Sequence, residues 1–337
     1  MEFIATSPDM METAALRGFD SIDVDIGEKN DFELKISKNL VRRYRLEADG
    51  FFFRPGTEFG GVLESRETNT KSETVMWKGH TWRGLLDQDV IIPPEGHDHR
   101  VASGEANGII REILAENEAI GTFFVVSQAD TGITFTDYQF GRYVTKLTGL
   151  SKMLATENMR LSIRAVQGGS GEAFNVMVEA VPIVDWSDLL EYSQDDKVNI
   201  KITDHRGGTN HLICLGKGEL RDRQRIDLFV WPDGTIRREK FYTGFDERVA
   251  VYDFSSAEDN ELEEKGRERL EKMMNQQKLE MTIGDFDVEI GDIVGGRDRE
   301  ANILLNQPVT GKILRSSGGN ETIQVSVKGG TEKDADL

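Results

Sequence analysis

Between Asp49 and Leu86 the chain is punctuated too often for a long helix. Phe51-Phe52-Phe53 runs into Arg54-Pro55-Gly56, Phe59–Arg66 contains Gly60-Gly61, and the polar septet Glu67–Glu73 precedes Thr74–Gly79. Proline removes a backbone donor and fixes φ, while glycine admits sharp changes of direction, so these residues mark joints. The stretch therefore predicts three short strands, Phe51–Phe53, Phe59–Arg66 and Thr74–Gly79, with the septet as a hairpin end. In the third strand Val75, Trp77 and Gly79 share one face, and Met76, Lys78 and His80 the other.

The same two-residue period appears upstream. Ser21–Gly27 and Phe32–Ser37 alternate strictly around the turn 27–31, and residues 1–48 read as strands. Asp20, Asp23 and Asp25 miss the calcium-loop spacing, and Ile22, Val24 and Ile26 make the opposite face, so this is a half-buried strand. Residues 87–101 read as a loop. His97 and His99, with Glu95 and Asp98, fall short of a zinc ligand set on a fixed frame and read as solvated.

Helical spacing replaces this alternation over residues 103–118, where Ala106, Ile109, Ile110, Ile113 and Leu114 form a stripe behind the candidate N-cap Ser103. Strands are expected at Phe123–Ser127 and Ile133–Phe135. A second helix is expected from 136 or 137 to 156, with Phe140, Tyr143, Val144, Leu147, Leu150, Met153 and Leu154 as its stripe. Met159–Val166 and Phe174–Val181 alternate around Gln167-Gly168-Gly169-Ser170-Gly171. That glycine-rich loop opens no helix and carries no Lys-Ser/Thr, so it is a hairpin turn and not a phosphate cradle.

Beyond the connector 183–188, strands are expected at Asn199–Arg206, Asn210–Leu220, Arg225–Val230 and Thr235–Phe241. Gly216-Lys217-Gly218 lacks the rest of a dinucleotide fingerprint. Residues 257–276 predict a helix with an acidic first turn and a stripe of Leu262, Gly266, Leu270, Met273 and Met274. Gly266 on that stripe implies close approach to a neighbouring element. Strands follow at Leu279–Ile283, Phe286–Gly296, Pro308–Arg315 and Glu321–Gly329, and residues 330–337 read as disordered.

The formal net charge of −19 gives a field of the wrong sign for holding nucleic acid through its phosphates. With 38% hydrophobic and 30% charged residues the chain reads as globular and soluble. Cys214 is the single cysteine, so no intrachain disulfide forms, which fits a cytosolic origin. No apolar run approaches the ~18 residues that a membrane helix requires. The first residues lack a basic and then apolar leader, so no secretory signal is expected there.

Two stretches carry a resemblance. The first is Phe59–Arg66, Val75–His80 and the turn Trp82-Arg83-Gly84-Leu85-Leu86 running on to Pro94. The second is the ordered series Glu261–Glu271, Glu289-Ile290-Gly291-Asp292-Ile293-Val294, Pro308–Ile313 and Thr322–Val327, with His211–Glu219 ahead of it. Together they resemble the baseplate hub proteins of tailed phages and prophages, over most of the chain. The longer members of that family carry a C-terminal hydrolase or host-binding extension, and this chain stops after the last expected barrel strand.

The reading is a mainly β protein with an α+β insertion. It has two β-barrel-like tube modules, a small α/β domain and one long C-terminal helix. Residues 1–100 form the first module, 101–182 the insertion, 183–330 the second module with the helix 257–276, and 331–337 a disordered tail.

The resemblance implies a structural protein of the virion tail tip, assembled in the host cytoplasm. It implies a homotrimeric ring that continues or closes the tail tube, with a tube protein above it and tip or fibre proteins below. DNA would pass its lumen without specific binding. No catalytic, cofactor or metal residue is assigned, because no Gly-x-Ser-x-Gly, His-Glu-x-x-His or P-loop sequence occurs. The competing reading is a carbohydrate-binding or cell-wall hydrolytic β-protein, with Trp77, Trp82, Trp186 and Trp231 as sugar platforms.

Overall fold

The computed structural model describes residues 2–187, 198–205, 207–255, 259–274, 276–283, 288–298 and 303–327. It falls into two units: Met1–Ile200 with Glu280–Val327 (unit 1), and Lys201–Leu279 (unit 2). The expected disorder of 331–337 lies outside the described residues.

Unit 1 begins with β1 (Phe3–Thr6), β2 (Glu12–Leu16), β3 (Ser21–Ile26) and β4 (Asp31–Ser37). Helix α1 (Lys38–Tyr44) follows where strand was expected. Ser37 caps it, its hydroxyl accepting from the Leu40 amide at 3.4 Å, and Arg45 ends it at φ 54°. Next come β5 (Phe51–Phe53), β6 (Gly60–Val62), β7 (Ser65–Thr68) and β8 (Thr74–His80), so the expected strand 59–66 is broken in two. The Trp-Arg-Gly-Leu-Leu turn is a helix, α2 (Trp82–Asp87).

Residues 101–182 of unit 1 contain β9 (Val101–Glu105), α3 (Ala106–Ala115), α4 (Glu118–Phe123), β10 (Phe124–Val126), β11 (Thr134–Gln139), α5 (Lys146–Ala155), β12 (Met159–Val166) and β13 (Asn175–Pro182). Both expected helices start later than the ranges 103–118 and 136/137–156 expected for them. The reason is that β9 and β11 pair antiparallel, Glu105 with Thr134 and Val101 with Gln139, and so withdraw residues at both N-termini. The true caps are Glu105, accepting from the Gly108 amide at 2.9 Å, and Thr145, accepting from the Thr148 amide at 3.2 Å. Tyr143, placed on a buried stripe by periodicity, is 58% exposed and has φ 53°.

The chain leaves unit 1 along β14 (Val198–His205). Unit 2 holds β15 (His211–Leu215), β16 (Arg225–Val230), β17 (Ile236–Arg237), β18 (Val249–Asp253) and α6 (Asp259–Met273). The chain returns along β19 (Gln276–Ile283), followed by β20 (Ile293–Asp298), β21 (Ile303–Ser317) and β22 (Asn320–Val327).

The large sheet of unit 1 runs β19-β22-β21-β3-β4-β8-β7, with β20 paired to the first half of β21. A second sheet, β2-β1-β5-β6, packs against it, burying Ile22, Val24, Ile26, Phe32, Leu34, Ile36 and Trp77 with Phe3, Ala5 and Phe52. Strand β5 serves two cores at once. Phe52 faces this one, 4.5 Å from the Phe32 ring, while Phe51 and Phe53 face a second core that includes Trp82, Ile110, Leu150 and Phe174, Phe53 stacking on Phe174 at 4.6 Å. Alternation along an extended chain makes this division automatic.

Among the described residues no sheet closes into a barrel, which corrects the expectation of barrel-like modules. The large sheet ends at β7, four exposed residues reading Ser-Arg-Glu-Thr, a short charged edge of the kind that resists further pairing. Helix α6 is described over 15 residues, Asp259–Met273, and Met274 does not continue it, so it stops short of the expected end at 276; four strands follow it, as expected. In unit 2 it lies on the sheet β17-β16-β15-β18, with Leu262 and Leu270 buried against Leu212, Cys214 and Leu228. Gly266 makes the close approach expected of it: a Cβ there would lie 2.5 Å from Cys214 Sγ.

Candidate functional site

The two stretches that carry the resemblance meet inside unit 1 in a cluster of buried charge. Asp292, fully buried, follows the turn that ends at Gly291, which has φ +97° and no room for a Cβ beside Arg160. Its carboxylate accepts from Arg160 Nε at 2.6 Å, the Val184 amide at 3.0 Å, Trp186 Nε1 at 3.3 Å and the Glu289 amide at 3.0 Å. The Gly-Asp-Ile-Val sequence is therefore a clasp. It ties the returning C-terminal segment to β12 and to the connector after β13, where the Trp186 amide also donates to the Ile293 carbonyl at 2.8 Å.

Beside it, Arg83 of α2 pairs with Glu58 at 2.5 Å and donates to the Leu161 carbonyl at 3.1 Å. Both side chains are buried. Burial pushes the Glu58 carboxyl above its usual range, against the pull of Arg83. Lys312 of β21 completes the cluster. It pairs with Glu289 at 2.9 Å and lies 5.4 Å from the centre of the Phe59 ring. Each carboxylate has a cation, which is the condition under which buried charges are tolerated. The groups bond one another, and no nucleophile stands beside a base. The cluster is suited to fixing the relative positions of six chain segments.

The solvent face of the large sheet is also charged, with Asp23 paired to Arg315 and Glu33 to Lys78 across neighbouring strands. Unit 1 contains 24 Lys and Arg against 41 Asp and Glu, and residues 201–279 contain 15 against 16, so the net negative charge lies almost wholly on unit 1.

No protein-family model matches the chain, and no curated protein does. Solved structures do. The tail protein from Neisseria meningitidis MC58 superposes with a TM-score of 0.51 at 12% identity, covering 97% of each chain. The 43 kDa tail protein of prophage MuSo2 from Shewanella oneidensis gives 0.54 at 12% identity, covering 97% of this chain and 98% of that one. The chain has the fold of these tail proteins.

Within the tail-protein fold, the residues weighed as ligands or platforms are placed as follows. Asp23 bonds Arg315, and Asp25 accepts from the Lys29 amide at 3.0 Å. His99 Nδ1 lies 3.1 Å from the Phe140 carbonyl, and the His97 amide donates within its own turn to Pro94. No group of three His, Cys, Asp or Glu among the described residues is arranged to hold a metal. Trp77 and Trp82 are buried, Trp186 donates to Asp292, and one face of Trp231 is covered by the Arg237 guanidinium at 4.1 Å.

Sequence reasoning missed Arg83, Glu58, Arg160 and Lys312. Arg83 and Lys312 sit inside the quoted motifs, where a charge amid buried residues was the available signal. It also missed β18, which contributes to the surface of unit 2.

Proposed function

We propose that the protein is a structural hub of a phage or prophage tail. Three copies form a ring that continues or closes the tail tube and lets DNA pass. The observation that carries this reading is the tail-protein fold shared across 97% of the chain with both tail proteins. The open sheets add to it. Among the described residues no sheet of a single copy encloses a passage, so a continuous wall would need several copies. The concentration of negative charge on unit 1 suits a wall that repels DNA phosphates. The proposed location is accordingly the virion tail tip, between a tube protein and tip or fibre proteins.

Light scattering with negative-stain microscopy of the purified chain, free and in tail particles, tests this. Rings of three copies with a central hole are expected. A chain that stays monomeric at micromolar concentration and is absent from particles contradicts the reading. Tight binding to duplex DNA at physiological salt would contradict the proposed passage without specific binding.

A further inference from the structure

The outer face of the unit 2 sheet, opposite α6, carries a row of five ionisable groups with His211 at its centre. The His211 ring is buried, stacked on Phe229 at 4.3 Å. Its Nε2 lies 2.8 Å from Asp227 Oδ1, and its Nδ1 lies 2.7 Å from Glu247 Oε1. Arg225 pairs with Asp227 at 2.7 Å and Lys240 with Glu247 at 2.6 Å. Asp227 and Arg225 come from β16, and Glu247 and Lys240 from the segment before β18. Asp227 and Glu247 face the ring directly, and Arg225 and Lys240 stand behind them.

An ionised carboxylate only accepts hydrogen bonds, so both contacts are made together only when both ring nitrogens carry protons. Arg225 and His211 hold the Asp227 carboxyl below its usual range, and Lys240 and His211 do the same for Glu247, which keeps both ionised. A neutral ring would donate to one carboxylate and turn a lone pair toward the other. Asp227 is fixed in a strand. Glu247 sits in a loop that leads into β18, the edge of its sheet. The same loop carries Phe245, fully exposed, and β18 exposes Val249 and Val251 at 51% and 61%. Its other ties are to Asn210 and the start of β15: Asn210 Nδ2 donates to the Asp246 carbonyl at 2.7 Å, its Oδ1 accepts from the Arg248 amide at 2.8 Å, and the Asn210 and His211 amides donate to the Arg248 carbonyl at 3.0 and 3.1 Å.

We propose that Asp227–His211–Glu247 is a pH-sensitive clasp. It holds Glu247 and its loop against β15 while both ring nitrogens of His211 carry protons, and loosens that loop, with β18 still paired to β15, when one proton is lost. The chemistry belongs to the imidazole ring, which offers two donors when protonated and only one when neutral. The inference rests on the side-chain geometry of unit 2 alone, so it survives or fails independently of the hub reading.

Hydrogen exchange of the full chain, corrected for the intrinsic effect of pH on amide exchange, tests it. Protection of the Glu247 and Arg248 amides, which donate to the Gly244 carbonyl and to Asn210 Oδ1, is expected to fall about tenfold between about pH 6 and pH 8.5, while β12–β13 stays unchanged. In the His211→Gln protein these amides are expected to be open at both pH values. Protection that is independent of pH in the natural protein, or the same pH dependence retained in His211→Gln, overturns the proposal. If His211→Gln does not fold, Glu247→Gln carries the test. Its amide pairs with a neutral ring, so the fall in protection should vanish, and its persistence overturns the clasp.

Discussion

Arg160 and Asp292 are separated by 132 positions in the chain, and their side chains meet at 2.6 Å in the interior of unit 1. The chain makes the whole excursion through unit 2 between them. This pair therefore closes unit 1 across its interruption.

Removing the carboxylate should be expensive. Asp292→Ala strands the Arg160 guanidinium, two backbone amides and the Trp186 indole without their acceptor. The expected loss is about 3–5 kcal/mol of unfolding free energy. Denaturant titration followed by tryptophan fluorescence measures it. A loss below about 1 kcal/mol, the scale of an exposed pair, would show that Asp292 is not a clasp.

Glu58 and Arg83 form a second buried pair, and its pH dependence has a definite sign. Burial raises the folded-state carboxyl of Glu58 above its unfolded value. Stability from such a group is present at low pH and is lost as pH rises through the folded-state value. Arg83→Met deletes the cation that opposes the rise. The variant should be weakest near neutral pH, by about 3–5 kcal/mol, and recover as pH falls and Glu58 takes up a proton. Glu58→Gln combined with Arg83→Met should be more stable at neutral pH than Arg83→Met alone. Thermal melts across pH decide both points, and equal deficits at every pH would refute the account.

Gly266 fixes how close α6 comes to its sheet. A Cβ there would lie 2.5 Å from Cys214 Sγ and 3.0 Å from Leu228 Cδ1, both in the core of unit 2. Alanine favours a helix interior by about 1 kcal/mol over glycine, yet overpacking a well-filled core costs about 1–3 kcal/mol. Gly266→Ala should therefore lower stability or leave it level, and Gly266→Leu should lower it sharply. A more stable Gly266→Leu protein in calorimetry would contradict the packing.

Cys214 should be chemically quiet. Burial pushes its thiol up to about 11, with Asp227 and Glu263 adding to the rise. At pH 8 a thiol so placed is about one-thousandth thiolate, and the thiolate is the nucleophile. A disulfide reagent should modify Cys214 slowly in the folded chain and fully after unfolding. Rapid modification of the native protein would show that the α6–sheet interface opens.

Local order decided much of this protein in advance. Strict alternation in Ser21–Ile26, Asp31–Ser37 and Thr74–His80 marks strands wherever they lie, because successive side chains must point to opposite faces. The stripe of Leu262, Gly266 and Leu270 likewise announces α6 and its close contact. Tertiary structure decided what depends on distant partners. Phe140, Tyr143 and Val144 fit a helical period, but β9 holds β11 extended ahead of them and the helix begins only at Lys146. Val249–Asp253 becomes a strand by lying parallel to β15, a pairing that no short window of sequence records. Whether the large sheet closes, and that Arg83, Arg160 and Lys312 find their carboxylates inside unit 1, follow from meetings of remote segments: β21 pairs with β3, and Arg160 reaches Asp292 across 132 positions. Periodicity is set by the geometry of a few residues, whereas register and buried ion pairs exist only once remote segments share one interior.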